Sequence, residues 1–132
     1  MQQKFPELQP SVLEHLGIEI VGIEAGKVTM TMPVDQRTHQ PFGFLHGGAS
    51  VLLAESAASM GSGALIDLRT QMCFGLEINA NHVKSKQSGV VTAEANIIHQ
   101  GRTTHVWDIK IRDEAGELVC VSRCTVAVTD KR

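Results

Sequence analysis

The chain predicts an α+β fold in which an antiparallel sheet of about six strands wraps one long central helix. Three observations predict it. Six runs carry strand signatures, alternation or β-branched enrichment bounded by turn residues. One run of helical length, residues 48–66, is apolar or small on nearly every side, the pattern of a helix enclosed by other structure. Their order is strand, strand, helix, four strands, with no internal repeat and no linker, so residues 1–132 read as one domain.

Residues 10–16 read as a short opening helix, with Pro10 tolerated in its first turn and Gly17 stopping it. Residues 18–24 form a first strand, followed by the turn "EAGK". The next run, "KVTMTM", alternates strictly, placing Val28, Met30 and Met32 on one face and Lys27, Thr29 and Thr31 on the other. From residue 33 to 45 the periodicity lapses. Asp35, Pro41 and Gly43 mark a loop that delivers the chain to His46 and the paired glycines Gly47 and Gly48. After the helix, "MCFGLEINANHVKS", "GVVTAEANIIHQ", "TTHVWDIKIR" and "LVCVSRCTVAV" read as strands, separated by turn signals at "KQSG", "QGR" and "DEAGE". In the third of these, Trp107, Ile109 and Ile111 share one face while Asp108, Lys110 and Arg112 share the other, which predicts a sheet with one wet face. His105 shares the parity of Trp107, a core residue, without an assigned role; His15, His39 and His99 have no constellation around them.

With 14 acidic against 12 basic side chains and a formal charge of −2, the chain has no global field to draw in nucleic acid, and an anionic ligand would need a local basic patch. The opening "MQQKFPELQPSVLEHLG" lacks the basic flank and continuous apolar segment of an export signal. Residues 47–66 are long enough to raise a membrane span but carry Glu55 and several glycines and serines. No membrane partner and a cytoplasmic location are therefore expected. Cys120 and Cys124, four apart on a strand, lie about 13 Å from each other, too far to bond, and Cys73 makes the count odd. Ordinary thiols are expected. Neither a CxxC pair nor an HExxH helix occurs, so no metal site is expected.

Glu55 is the one charged side chain between His46 and Ile66. A helical glutamate is ordinarily solvated, but Val51, Leu52, Leu53 and Ala54 precede this one and Ala57, Ala58 and Met60 follow, leaving no polar face to carry it. On a helical period Gly48, Val51, Glu55, Ser59 and Ser62 form one stripe, with Ser59 one turn beyond Glu55 and within hydrogen-bonding reach. A partly desolvated carboxylate can act as general base on water or as nucleophile on an activated acyl group. Acyl transfer also needs donors for the developing oxyanion. Gly47 and Gly48 open the helix with N–H groups at its positive end, where a missing side chain lets a carbonyl approach, and Gln40 and His46 stand just upstream. Gly47 and Glu55 are eight positions apart, about 12 Å along a helix, too far to address one carbonyl carbon. A catalytic reading therefore predicts a homodimer whose central helices lie side by side and antiparallel, each site drawing donor and carboxylate from different chains.

The block "PVDQRTHQPFGFLHGGASVLLAESAASMGS", with "GLEINANHVKS" and "GRTTHVWDIKI", resembles the hotdog-fold thioesterases of the PaaI-like group. It is nearest the 1,4-dihydroxy-2-naphthoyl-CoA hydrolases of menaquinone biosynthesis and the enterobactin-synthesis proofreading thioesterases. The resemblance runs from about residue 17 to residue 128. It implies a hotdog fold, thioester hydrolysis without metal or redox cofactor, and a homodimer, commonly paired into a homotetramer. It places Glu55 on the catalytic carboxylate, Gly47 on the backbone oxyanion donor, Gln40 and His46 on polar groups near the thioester, and Ser59 on the residue that assists the carboxylate or water.

Coenzyme A is polyanionic, and "NHVKSK" sets His82, Lys84 and Lys86 on one side of a strand, with Arg102 read as sitting at a nearby turn. The resemblance puts Asn81, His82, Lys84, Gly101 and Arg102 near the CoA phosphates or pantetheine; Lys84 stands where close members often carry arginine. Lysines guarding a solvated strand edge are the competing reading of the same residues. The expected substrate is a hydroxylated aryl-CoA. Alternatives are an acyl or aryl carrier protein and a non-catalytic acyl-CoA-binding role. The hotdog hydratases, with their "GDxNPxH" type loop, are disfavoured by "PFGFLH" here.

Overall fold

The computed structural model of the protein describes residues 8–131, so part of the stretch read for an export signal, residues 1–7, lies outside the described residues. Ser11 Oγ accepts the Leu13 N–H and Gly17, at φ +72°, closes the first helix, α1 (Val12–Leu16). Pro10 thus precedes the cap instead of occupying the first turn. Two strands follow, β1 (Glu19–Glu24) and β2 (Lys27–Val34), then the long helix α2 (Gly47–Gly63) and four more strands: β3 (Gln71–His82), β4 (Gly89–Gln100), β5 (Thr104–Arg112) and β6 (Leu118–Asp130).

The strands form one sheet in the order β1-β2-β4-β5-β6-β3, every neighbouring pair antiparallel. It wraps α2 as expected, and the architecture is the hotdog fold. Met30 pairs with Ala93 and Val28 with Ala95, so bulky residues on β2 meet small ones on β4 beneath the helix. Leu53, Ala54, Ala57 and Ala58 press from α2 onto this surface and onto Trp107, Ile109 and Ile111 of β5, all fully buried. The alternation read in β2 and β5 places their residues on the expected faces, with Asp108 and Lys110 paired at 2.7 Å on the wet side.

Two boundaries and the enclosure of α2 differ from the expectations. β2 runs on through Pro33 to Val34, two residues into the expected loop. Pro33 lies beyond the last β1 pair, Glu19 with Thr31, where β2 has a neighbour on one side only and a missing N–H is tolerated. α2 stops at Gly63 with Ala64 as cap, and Ile66 turns into the core. Finally, α2 is not enclosed on all sides by its own chain: Val51, Leu52, Glu55, Ser56, Ser59 and Met60 are half-buried.

Ser62, which the helical period places on the Glu55 stripe two turns further on, is fully buried, whereas Glu55 is half-buried. Its Oγ accepts the Trp107 indole N–H at 2.9 Å and lies 2.8 Å from His105 Nδ1. Gly61 beside it makes the room, since a Cβ there would stand 2.5 Å from the Trp107 ring. His105 is therefore a satisfied core polar residue.

Candidate active site

The loop before α2 is held by backbone carbonyls and by a few of its own side-chain oxygens. Buried Thr38 donates its hydroxyl to Pro33 O at 2.8 Å, and its own carbonyl accepts the His46 N–H at 2.8 Å. Leu45 N–H reaches Lys86 O at 2.8 Å, and His39 Nε2 lies 2.8 Å from Gln87 O, so the connection between β3 and β4 clasps the loop from outside. Sequence reasoning missed Thr38 and the role of His39, because the partners are carbonyls that any residue type supplies.

Within this loop Gln40 Oε1 accepts two backbone N–H groups, Phe42 at 2.6 Å and Phe44 at 3.2 Å. Those donors fix which amide atom is the oxygen, leaving the Gln40 NH₂ to donate into the cleft it lines with Gly47, Ser50 and His82. The cleft encloses about 430 Å³.

His46 is the N-cap of α2, and its Nδ1 accepts the Gly48 N–H at 2.8 Å. This ring nitrogen must carry the lone pair, which puts the neutral proton on Nε2. Ala49 and Ser50 N–H groups go to His46 O. Of the four N–H groups that a helix start leaves over, only that of Gly47 has no acceptor among the described residues. The expected glycine pair thus separates: the Gly48 N–H is consumed by the cap and the Gly47 N–H is left without an acceptor among the described residues. His82, ending β3, lies against Gly47, for a Cβ there would be 3.0 Å from its Nε2.

Glu55 lines a different cavity, about 460 Å³, with Ser59, Leu52 and Met60 of α2 and Val12 and Leu13 of α1. It makes no side-chain hydrogen bond among the described residues, Ser59 included. Its carboxylate rests against Gly75 of β3. The donor loop and the carboxylate of one chain therefore open into separate cavities.

The basic residues are distributed differently from the expectation. Lys84 Nζ pairs with buried Asp113 at 2.7 Å and with Glu117, and Lys86 pairs with Glu114 at 2.8 Å, so both charges are matched inside the chain. These contacts lower the Asp113 pKa below its ordinary value, and bring that of Glu114 down to about 2. Arg102 is exposed with no partner among the described residues. It is not near Lys84. Asn81 and His82 pair with Val121 and Cys120 at the β5–β6 turn end, whereas Gly101, bonded to Thr104 O at 2.8 Å, and Arg102 lie at the other end of β5. The nine residues of β5 separate them by on the order of 30 Å. Residues 82–86 and the "QGR" turn look close in a strand count, but the strand order places β3 beyond β6, with its last residues at the far end of the sheet.

The three cysteines are free; burial raises all their pKa values, and for Cys124 the Glu55 and Glu77 carboxylates add to burial, to about 12. None offers a ready thiolate. Among the described residues no group of three or more His, Cys, Asp or Glu is placed to hold a metal, and no helix is long and apolar enough to cross a membrane.

Residues 42–120 match the thioesterase superfamily, and the chain belongs to it. It is a thioester hydrolase. Among curated relatives, the 1,4-dihydroxy-2-naphthoyl-CoA hydrolase of Listeria monocytogenes is 56% identical over 119 residues, covering 90% of this chain and 96% of that protein. The proofreading thioesterase EntH of Klebsiella pneumoniae is 45% identical over 118 residues, covering 89% and 85%. Among solved structures, a Staphylococcus aureus protein crystallised with a glutamate replaced by alanine superposes with a TM-score of 0.90 at 49% identity, covering 92% of this chain and 100% of that one.

Proposed function

We propose that the protein hydrolyses the thioester of an acyl-CoA, with a hydroxylated aromatic acyl group such as 1,4-dihydroxy-2-naphthoyl, hydroxybenzoyl or gentisyl, to the free acid and CoA. The observation that carries the chemistry is the single unsatisfied N–H at Gly47, beside the donating amide of Gln40. Two converging donors suit the oxyanion of a tetrahedral intermediate. His82 borders the same cleft, His46 is the residue before Gly47, and both suit the positioning of carbonyl or water. Glu55 supplies the carboxylate, as nucleophile or as base for water, with Ser59 one turn away. The Staphylococcus aureus relative supports the pairing of these groups: it has been crystallised with a glutamine replaced and, separately, with a glutamate fifteen positions later replaced, the spacing of Gln40 and Glu55.

The site is shared by two chains in this reading. Support comes from the separate cavities, the half-buried face of α2, and the twelve-residue edge strand β3, which leaves one side unpaired and exposes Phe74 and Leu76. A second chain against β3 would cover both, and a tetramer would pair two such dimers. Arg102 is an exposed cation without a partner among the described residues and would suit a CoA phosphate, with Gly101 beside it. Asn81 and His82 stand at the opposite end and would address the pantetheine of a CoA bound across chains, with Lys84 beside them held in its ion pairs.

Glu55→Ala is expected to lower kcat for thiol release from aryl-CoA by at least about 10²-fold, with the dimer retained in sedimentation. Near-wild-type release would sink the assignment, and a monomer at assay concentration would sink the shared site. Single-turnover hydrolysis in ¹⁸O water detects a covalent anhydride that water opens at the Glu55 carbonyl, since label then enters Glu55 and not the acid, whereas general-base attack labels the acid. The similarity to a proofreading thioesterase favours a second reading, an aryl carrier protein as substrate. Faster turnover of aryl-carrier protein than of aryl-CoA would select it.

A further inference from the structure

Gly75 lies in β3 between two exposed apolar side chains, Phe74 and Leu76, where the register with β6 slips between Gly75 and Glu77. Its φ is not positive, so backbone conformation does not demand glycine. Space does. A Cβ built on Gly75 would overlap Glu55 Oε2 and stand 3.0 Å from Cδ and 3.3 Å from Cγ.

One step along the strand, Cys73 faces α2 one turn beyond Glu55, its Sγ 3.6 Å from Ser59 O. Two strand residues advance about 6.6 Å and four helix residues about 6 Å, so Cys73 with Ser59 and Gly75 with Glu55 are successive rungs of one ladder. Side-chain bulk alternates across it. The strand carries a thiol where the helix carries a small serine, and nothing where the helix carries the long glutamate. The Glu55 carboxylate has no hydrogen bond among the described residues, and this contact with Gly75 lies directly against it.

We propose that Gly75 is a positioning residue for thioester hydrolysis, its missing side chain forming the seat of the Glu55 carboxylate. The inference rests on the reading of Glu55 as the catalytic carboxylate. Gly75→Ala moves the carboxylate while leaving the donor loop untouched, so kcat falls and KM holds. A displacement near 1 Å corresponds to about 10²-fold in kcat.

The test combines kinetics with a crystal structure of the Gly75→Ala variant. Expected are a kcat loss of about 10- to 100-fold, KM within about threefold, unchanged assembly in sedimentation, and a Glu55 carboxylate displaced while Cys73 keeps its contact with Ser59. Glu55→Asp, one methylene shorter, makes room for the new methyl group. The double variant should therefore exceed the product of the two single effects by at least about 5-fold. Gly22→Ala, a strand glycine with no atom near its missing Cβ, is the neutral control. Multiplicative single effects, an unmoved carboxylate, or a kcat loss that follows loss of assembly would each overturn the proposal. Wild-type kcat in Glu55→Ala would overturn the reading of Glu55 instead, and the seat would then stand or fall on the carboxylate's displacement alone.

Discussion

The two ends of the proposed catalytic stretch are built by opposite means. At the start of α2, nearly every polar group is already engaged: Gln40 Oε1 by two amides, His46 Nδ1 by Gly48, the His46 backbone by Thr38. What remains free, the Gly47 N–H and the Gln40 NH₂, is free by exclusion and fixed in direction. Around Glu55 there are no such bonds among the described residues; the carboxylate lies against Gly75 and opens onto a half-buried helix face. Stabilising an oxyanion requires donors preorganised before charge develops, which a rigid loop provides. A carboxylate that must receive a proton or attack a carbon can sit unbonded until a second chain closes over it.

The largest expected effect after that of Glu55→Ala lies on the rigid side. Gln40→Ala removes the donor and the acceptor that folds the loop, whereas Gln40→Glu keeps an acceptor oxygen for Phe42 and Phe44 and removes only the donor. Both should lower kcat by about 10²-fold, the cost of one oxyanion donor, but only Gln40→Ala should also lower the melting temperature. A Gln40→Glu enzyme with wild-type kcat would show that loop rigidity, and not the outward amide, is what the residue contributes.

A smaller effect separates the two ends of the sheet. Arg102→Ala should raise KM for aryl-CoA by about 10-fold, the scale of a lost charged hydrogen bond, because its charge has no partner among the described residues. Lys84→Ala should leave KM within about threefold and instead loosen the turn carrying Asp113, seen as faster amide exchange around residues 113–117. The reverse pattern would restore Lys84 as a phosphate contact and make its ion pairs resting-state partners only.

The contrast also explains how much was legible in the sequence. Faces of β2 and β5, the central helix and the lone glutamate were readable because alternation and helical period are local properties of side-chain order. The separation of Gly47 from Gly48 was not, since it turns on which N–H the His46 ring reaches. Nor was the pairing of Lys84 with Asp113, 29 residues apart and joined only once β3 and β6 are neighbours. Gly75 was hidden for a related reason: a glycine inside a strand signals close approach, but nothing in its neighbours names Glu55 as what approaches. Ser62 shows the limit of periodicity itself, since one stripe position faces the core.

The smallest effect concerns that core. His105 is buried, and burial with His99 nearby lowers its pKa below the ordinary 6.5, so the folded chain holds the ring neutral. The unfolded chain takes up a proton as pH falls through about 6.5, and the folded chain only at lower pH. Acid therefore favours unfolding across that window, and stability gained from this group is complete above it. Wild-type melting temperature should drop by about 2–4 °C more than that of His105→Asn when pH is lowered from about 7.5 to about 5.5, asparagine keeping a polar atom for Ser62 without titrating. Since His105 lies behind α2 and reaches neither cavity, the variant's kcat at neutral pH should stay unchanged; a parallel loss of kcat would mean that the Ser62 contact positions Glu55 through the helix and that the two halves of the site are coupled.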